Sequence, residues 1–299
     1  MCMVVGIFLL IVMSVPSWSR YFDDEYDGGP YAQRLDAVVF ADDFEAGAWR
    51  AHKYSGDRSG SGPKGVLWMH SQMQGAHSGL VVAAPAPIRR GKHAMRFEWR
   101  PEAYQKSNTS KKAMLHGPKV RQSKDVERWY AFSVYLPKDG MAQDSNPMLF
   151  FQLHATPDHN LKEPWRQPIA SIGINSSGII AYGWSYDTDQ LSPKNKNIVK
   201  NRTSVPIGHI SSWWNRWTDV VWRVRYDPFG KGLLQIWING KQIADHQNIA
   251  IGYNDKAGAY PSYGLYYHTG KGDRRHWIYF DEISIGNEQA TSSSFGSVR

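Results

Sequence analysis

The chain has 299 residues, with 21% charged and 41% hydrophobic, which excludes a largely disordered polymer. Lys and Arg number 35 against 27 Asp and Glu, a net charge of +8, and aromatics are abundant at 13 Trp, 16 Tyr and 11 Phe. Together with 27 Gly and 16 Pro this composition points to β structure with many turns, and a basic, aromatic surface suits a polyanion, either nucleic acid or acidic polysaccharide.

Residues 3–13, MVVGIFLLIVM, form an apolar run too short to span a bilayer comfortably. Small residues at Ser17 and Ser19 follow it, so residues 1–19 read as a signal peptide cleaved near Ser19 and the product as secreted or periplasmic. The single cysteine, Cys2, lies inside that segment. A mature chain would carry no thiol, which excludes cysteine-based zinc sites and thiol nucleophiles. Residues 20–39 are a polar, acidic leader, residues 40–287 one β domain, and residues 288–299 a loose Ser-rich tail.

Within the domain the apolar period is two. Met95, Phe97 and Trp99 oppose Arg96, Glu98 and Arg100. Tyr130, Phe132, Val134 and Leu136 share one face, as do Val220, Trp222, Val224 and Tyr226. Leu149, Phe151 and Leu153 alternate with Phe150, Gln152 and His154. Leu234, Ile236 and Ile238 lead into Asn239-Gly240, a type I′ hairpin signal, and the stretch 278–285 closes the pattern. No stretch shows a long period of 3.6. The expected fold is all-β, an antiparallel β-sandwich with one face of each strand in the core.

The same period sorts the polar residues. Gln152 and His154 point together away from the apolar face of their strand. If Leu265 is core, Tyr266 and His268 face outward with Gly264, and Lys119 and Arg121 project opposite Val120. A basic, aromatic face bearing histidines is expected on one sheet. Paired acids of the kind glycosidases use are missing: Glu98 stands alone, and Asp281 and Glu282 point to opposite faces. There is no nucleophile elbow, no phosphate-binding glycine loop and no helical His pair. His, Tyr, Gln and Arg can instead run β-elimination on a uronic acid. A base removes the proton beside the carboxylate, an amide or cation neutralises the charge that builds up, and an acid protonates the leaving oxygen.

Several segments carry a resemblance: Ala41–Gly47 (ADDFEAG), Glu127–Pro137 (ERWYAFSVYLP), Phe151–His154 (FQLH), Trp217–Val221 (WTDVV), Ile236–Lys241 (IWINGK) and Tyr279–Gly286 (YFDEISIG). In this order they resemble polysaccharide lyases of the heparin lyase I and glucuronan lyase type, over nearly the whole mature chain. The resemblance implies a concanavalin-like β-jelly roll. It also implies that His154 is base or charge neutraliser, Tyr266 acid or acid/base, and Gln152 a carboxylate neutraliser. Lys119, Arg121, Arg166 and His268 would bind substrate. Heparin-type members place a lysine four residues before the tyrosine, where this chain has Ser262, and the Arg-x-Glu of many members is matched by Arg121-Gln122-Ser123. Some relatives bind calcium structurally. No compact acidic loop here requires it, so no metal or other cofactor is expected.

The expected function is therefore a secreted, monomeric lyase acting on a uronate-containing polysaccharide, with no nucleic-acid partner and no membrane attachment after cleavage. Trp184 and Trp237 are candidate sugar platforms, each with a place in the core as the alternative. The basic stretches 106–112 and 194–202 are candidate flanks of the groove, with an ordinary solvated charge run as the alternative. A non-catalytic carbohydrate-binding module is the competing class, since a fold does not fix a function. A hydrolase is disfavoured by the missing acid pair.

Overall fold

The structure is a computed structural model and describes residues 37–119, 126–188 and 201–295. Among these the regular structure is strand, joined by loops and single 3-10 turns. In chain order the strands are β1 (Val38–Asp42), β2 (Trp49–Gly56), β3 (Val66–Met73), β4 (Gly79–Ala83), β5 (His93–Trp99), β6 (Lys112–His116), β7 (Glu127–Tyr135) and β8 (Met148–His154). They continue with β9 (Ala170–Ile174), β10 (Ile179–Asp187), β11 (Asn201–His209), β12 (Trp217–Arg225), β13 (Asp227–Ile238), β14 (Lys241–Tyr253), β15 (Tyr260–Tyr266) and β16 (His276–Gly286).

Hydrogen bonding links them in the order β2-β3-β6-β15-β8-β9-β10-β14-β13-β12-β7-β16-β5-β4, with β1 on β16 and β11 on β10. The path folds over on itself at β14, which pairs with β13 along most of its length and meets β10 only at Gly252 and Tyr253. Strands far apart on the path therefore face each other. Phe132 of β7 meets Phe151 of β8 at 4.8 Å and Tyr263 of β15 at 5.6 Å, and Phe151 meets Trp222 of β12 at 5.3 Å. Each such aromatic pair adds about 1 kcal/mol beyond the area it buries. The one buried core between the two layers makes this a β-sandwich of jelly-roll type.

The alternation places its residues as expected. Tyr130, Phe132, Val134, Leu136, Val220, Trp222, Val224 and Tyr226 are all in the core. The Tyr130 and Tyr226 hydroxyls satisfy each other there at 2.7 Å. Asn239 and Gly240 take positive φ (49° and 76°) and close the β13–β14 hairpin.

Three expectations are corrected. The sandwich is not wholly antiparallel, because β2–β3 and β10–β14 pair in parallel. Glu98 is buried rather than wet, and it is ion-paired with Arg96, Arg100 and Arg275. Burial alone would raise its carboxyl, and the three cations reverse that and hold it below the usual range. The tail is not loose as far as Phe295: Ala290 and Phe295 are buried against Trp129, Ala131 and Val221 on the outer face of the first layer.

Candidate active site

The second layer carries a polar row on the face turned away from the core. Strand pairing aligns His70 of β3 with His116 of β6, His116 with Ser262 of β15, Ser262 with Gln152 of β8, and Gln152 with Ser171 of β9. The residues that alternate with them, Leu115, Tyr263, Phe151, Leu153 and Ile172, belong to the core. Period two thus puts a polar set on the other side, as the sequence implies. This face is not simply wet. Ser262 is 0% exposed, Gln152 1% and His116 2%, so the centre of the row is closed to solvent.

Hydrogen bonds tie part of the row together. Ser262 Oγ lies 2.7 Å from His116 Nδ1, and His116 Nε2 lies 3.0 Å from Gln72 Oε1. With Nε2–H donating to the amide oxygen, Nδ1 accepts from the Ser262 hydroxyl and the ring is neutral. Lys112 Nζ donates to the same Gln72 Oε1 at 2.8 Å and stands 4.8 Å from the Tyr266 ring centroid. Lys112 and Tyr266 are also register partners on β6 and β15, so Tyr266 is linked to His116 through Lys112 and Gln72. At the other end Tyr260 opposes His154, stacks on it at 5.6 Å and meets His116 edge-on at 5.7 Å.

Three features give the row its chemistry. First, burial pushes His154 down to about 4, with a contribution from Lys112, so the ring is neutral at neutral pH. Its Nδ1–H donates to the Ala155 carbonyl at 2.8 Å, which leaves the Nε2 lone pair as the basic atom. Second, Gln152 Oε1 is buried and makes no hydrogen bond, an uncompensated polar atom of the kind found at sites that await a partner. Third, burial raises the Tyr266 phenol, keeping it protonated and fit to act as an acid, and lowers the Lys112 ammonium to about 8.

The Gly-x-Tyr element has a local cause. The register of β15 against β8 shifts between Tyr263 and Tyr266. Gly264 sits within that shift at φ +129°, where a Cβ would collide with the Ala113 carbonyl of β6. Glycine permits both the conformation and the close approach.

Of the residues singled out from sequence, Gln152, His154 and Tyr266 lie on this face. His268 lies just past the end of β15 and 6.3 Å from Tyr266, and it is exposed. Lys119 is half-buried, three residues past His116, while Arg121 lies outside the described residues. Arg166 is a correction. Its side chain is 1% exposed and meets Glu163 and Asp255 through Nη2, with its guanidinium 4.2 Å over the Tyr253 ring, so it holds a loop and is closed to solvent. Trp184 and Trp237 are not platforms on this face either. Trp184 belongs to the core, and Trp237 stacks on Trp129 at 5.5 Å on the outer side of the other layer.

Sequence reasoning missed His70, Gln72, His116 and Tyr260, and it had Lys112 only as the end of a basic stretch flanking the groove. The alternation of Lys112, Met114 and His116 with Ala113 and Leu115 was a usable signal. Their convergence with β3 and β15 depends on pairings some 40 and 150 residues apart along the chain, which periodicity does not reveal. Ser262, where heparin-type members have a lysine, is paired with His116, and Lys112 stands on the same strand as His116, opposite Tyr266.

Residues 63–284 match the polysaccharide lyase family, and the chain belongs to it as an enzyme of that class. Among solved structures it is similar to an endo-β-1,4-glucuronan lyase from the fungus Trichoderma reesei, at 15% identity, TM-score 0.57, covering 76% of this chain and 93% of that one. Weaker likenesses are to the family 7 alginate lyase A1-II′ (12%, TM-score 0.47, 70% and 85% covered) and to the alginate lyase AlyA1 from Zobellia galactanivorans (12%, TM-score 0.42, 65% and 78% covered). No curated protein matches the chain.

Proposed function

We propose that the protein is a secreted lyase that cleaves a uronate-containing polysaccharide by β-elimination, with His154, Gln152, Lys112 and Tyr266 as its working groups. The observation that carries this reading is a neutral histidine and a buried glutamine with an unpartnered Oε1, two residues apart on one face of β8. A substrate carboxylate laid against Gln152 would accept from its Nε2–H, a substrate hydroxyl would donate to the open Oε1, and the Lys112 ammonium supplies positive charge on the same face. As the proton leaves the carbon next to the carboxylate, negative charge builds on that group, and these donors stabilise it. His154 Nε2 takes the proton. Tyr266 gives its own to the glycosidic oxygen, and the electron pair of the broken C–H bond becomes the new double bond as the C–O bond breaks. His116 has both ring nitrogens committed and acts by holding Gln72 and Ser262 in place. The apolar run at residues 3–13 supports export.

The test is a panel of glucuronan, alginates, hyaluronan, chondroitin and heparin, followed by ultraviolet absorbance of the unsaturated uronate. Absorbance should rise on one polymer, and His154→Ala and Tyr266→Phe should each lower kcat by about 100-fold or more. New reducing ends without absorbance would mean hydrolysis and overturn the assignment. Retention on a polymer with neither product would mean a binding module.

A further inference from the structure

The row ends differently on its two sides. Beyond Tyr266 stand cations, whereas beyond His154 stands Trp165, which is 49% exposed. Its ring centroid is 5.6 Å from His154 and 5.9 Å from His159. A tryptophan this open is normally free to fold onto apolar neighbours, but here its surroundings are locked. Glu163 and Arg166 on either side are buried. Arg166 pairs with Asp255, Glu163 accepts from the Asp158 amide at 2.8 Å, and Asp158 in turn accepts from the Lys256 amide at 2.9 Å. The loop between β8 and β9 is thus clamped to the loop between β14 and β15, and the indole is held out beside the candidate base.

We propose that Trp165 is a substrate-binding residue, a stacking platform for the pyranose ring next to the one attacked at His154. This rests on the lyase reading for the identity of the sugar. A flat indole covers the C–H face of a pyranose while leaving its hydroxyls in water, and it does so without charge. Both platforms suggested by the sequence, Trp184 and Trp237, are engaged elsewhere.

The test uses the full chain and the substitutions Trp165→Ala and Trp165→Phe, with kcat and KM on the cleaved polymer and retardation in gels containing it. Trp165→Ala should raise KM and weaken retardation by about tenfold with kcat within about twofold, and Trp165→Phe should recover most of the loss. An active enzyme whose KM and retardation ignore both substitutions overturns the platform and leaves the lyase reading standing. A chain without lyase activity whose retardation still depends on Trp165 overturns the lyase reading and keeps the platform. A wild-type chain neither active nor retarded on any polymer of the panel overturns both.

Discussion

His154 and Lys112 are tuned in directions that define a working pH window. Burial lowers both, the histidine to about 4 and the lysine to about 8. A base must be neutral, so activity requires a pH above the His154 value. A charge neutraliser must be protonated, so activity requires a pH below the Lys112 value. The profile of kcat/KM, which reports the free enzyme, should therefore rise above about 4 and fall near about 8. Lys112→Arg, whose guanidinium keeps its proton, should move the alkaline fall upward. An alkaline limb unchanged by that substitution would remove Lys112 from the mechanism. At this scale Gln152 and His154 were legible because they share one strand, where period two relates them directly. His116, Gln72 and Lys112 were not, because each gains its meaning from a neighbour on another strand. Arg166 misled because its neighbours in the chain, Trp165 and Gln167, do not disclose that Asp255 lies against it.

Strand β15 carries Tyr266 and is fixed beyond its last residue. The Tyr267 hydroxyl donates to Asp144 Oδ2 at 3.0 Å, the Asp273 amide donates to the same atom at 3.0 Å, and His276 Nε2 of β16 reaches it at 3.1 Å. Burial would raise the Asp144 carboxyl, but these donors and the Asn146 amide hold it well below the ordinary value of 3.8. A carboxyl lowered on folding contributes stability that is complete above its unfolded pKa and is lost as pH falls through the folded one. Asp144→Asn should thus cost about 3 kcal/mol at neutral pH by urea unfolding, and the gap from wild type should close as pH drops below 3.8. A gap that stays constant down to about pH 2 would contradict this account. Among elements, β7, β12 and the β13–β14 hairpin were legible because strict alternation meets a one-sided core. Strand β11 was not. Its residues Asn201–His209 are mostly exposed along an edge, so no apolar face marks them, and its first two residues close the stretch 194–202 read as a basic run.

At the scale of the molecule, the two layers handle charge differently among the described residues. The charges acting on His70, His116, His154 and His268 on the candidate active face are cationic, from Lys53, Lys111, Lys112 and Arg202, with the neighbouring histidines adding to them at His116. On the opposite layer buried carboxylates are tied to arginines, as in Arg89 with Asp219 and Glu98 with Arg96, Arg100 and Arg275. Lys53, Lys111, Lys112 and Arg202 are thus presented where the proposed polyanion would lie. Such a field acts on encounter and binding, and over distances comparable to the screening length it weakens as salt is added. The working groups His154, Lys112 and Tyr266 are half-buried, so charges acting at the reacting atoms are screened less. KM should therefore rise severalfold as ionic strength goes from about 0.05 to about 0.5 M while kcat stays within about twofold. Replacing Lys111 and Arg202 by glutamine should flatten the salt dependence of KM, since neither cation touches the groups proposed for the chemistry. A KM indifferent to salt would mean that recognition runs through hydrogen bonds and stacking alone. In that case the positive face would reflect the chain's overall basicity and have no part in capturing substrate.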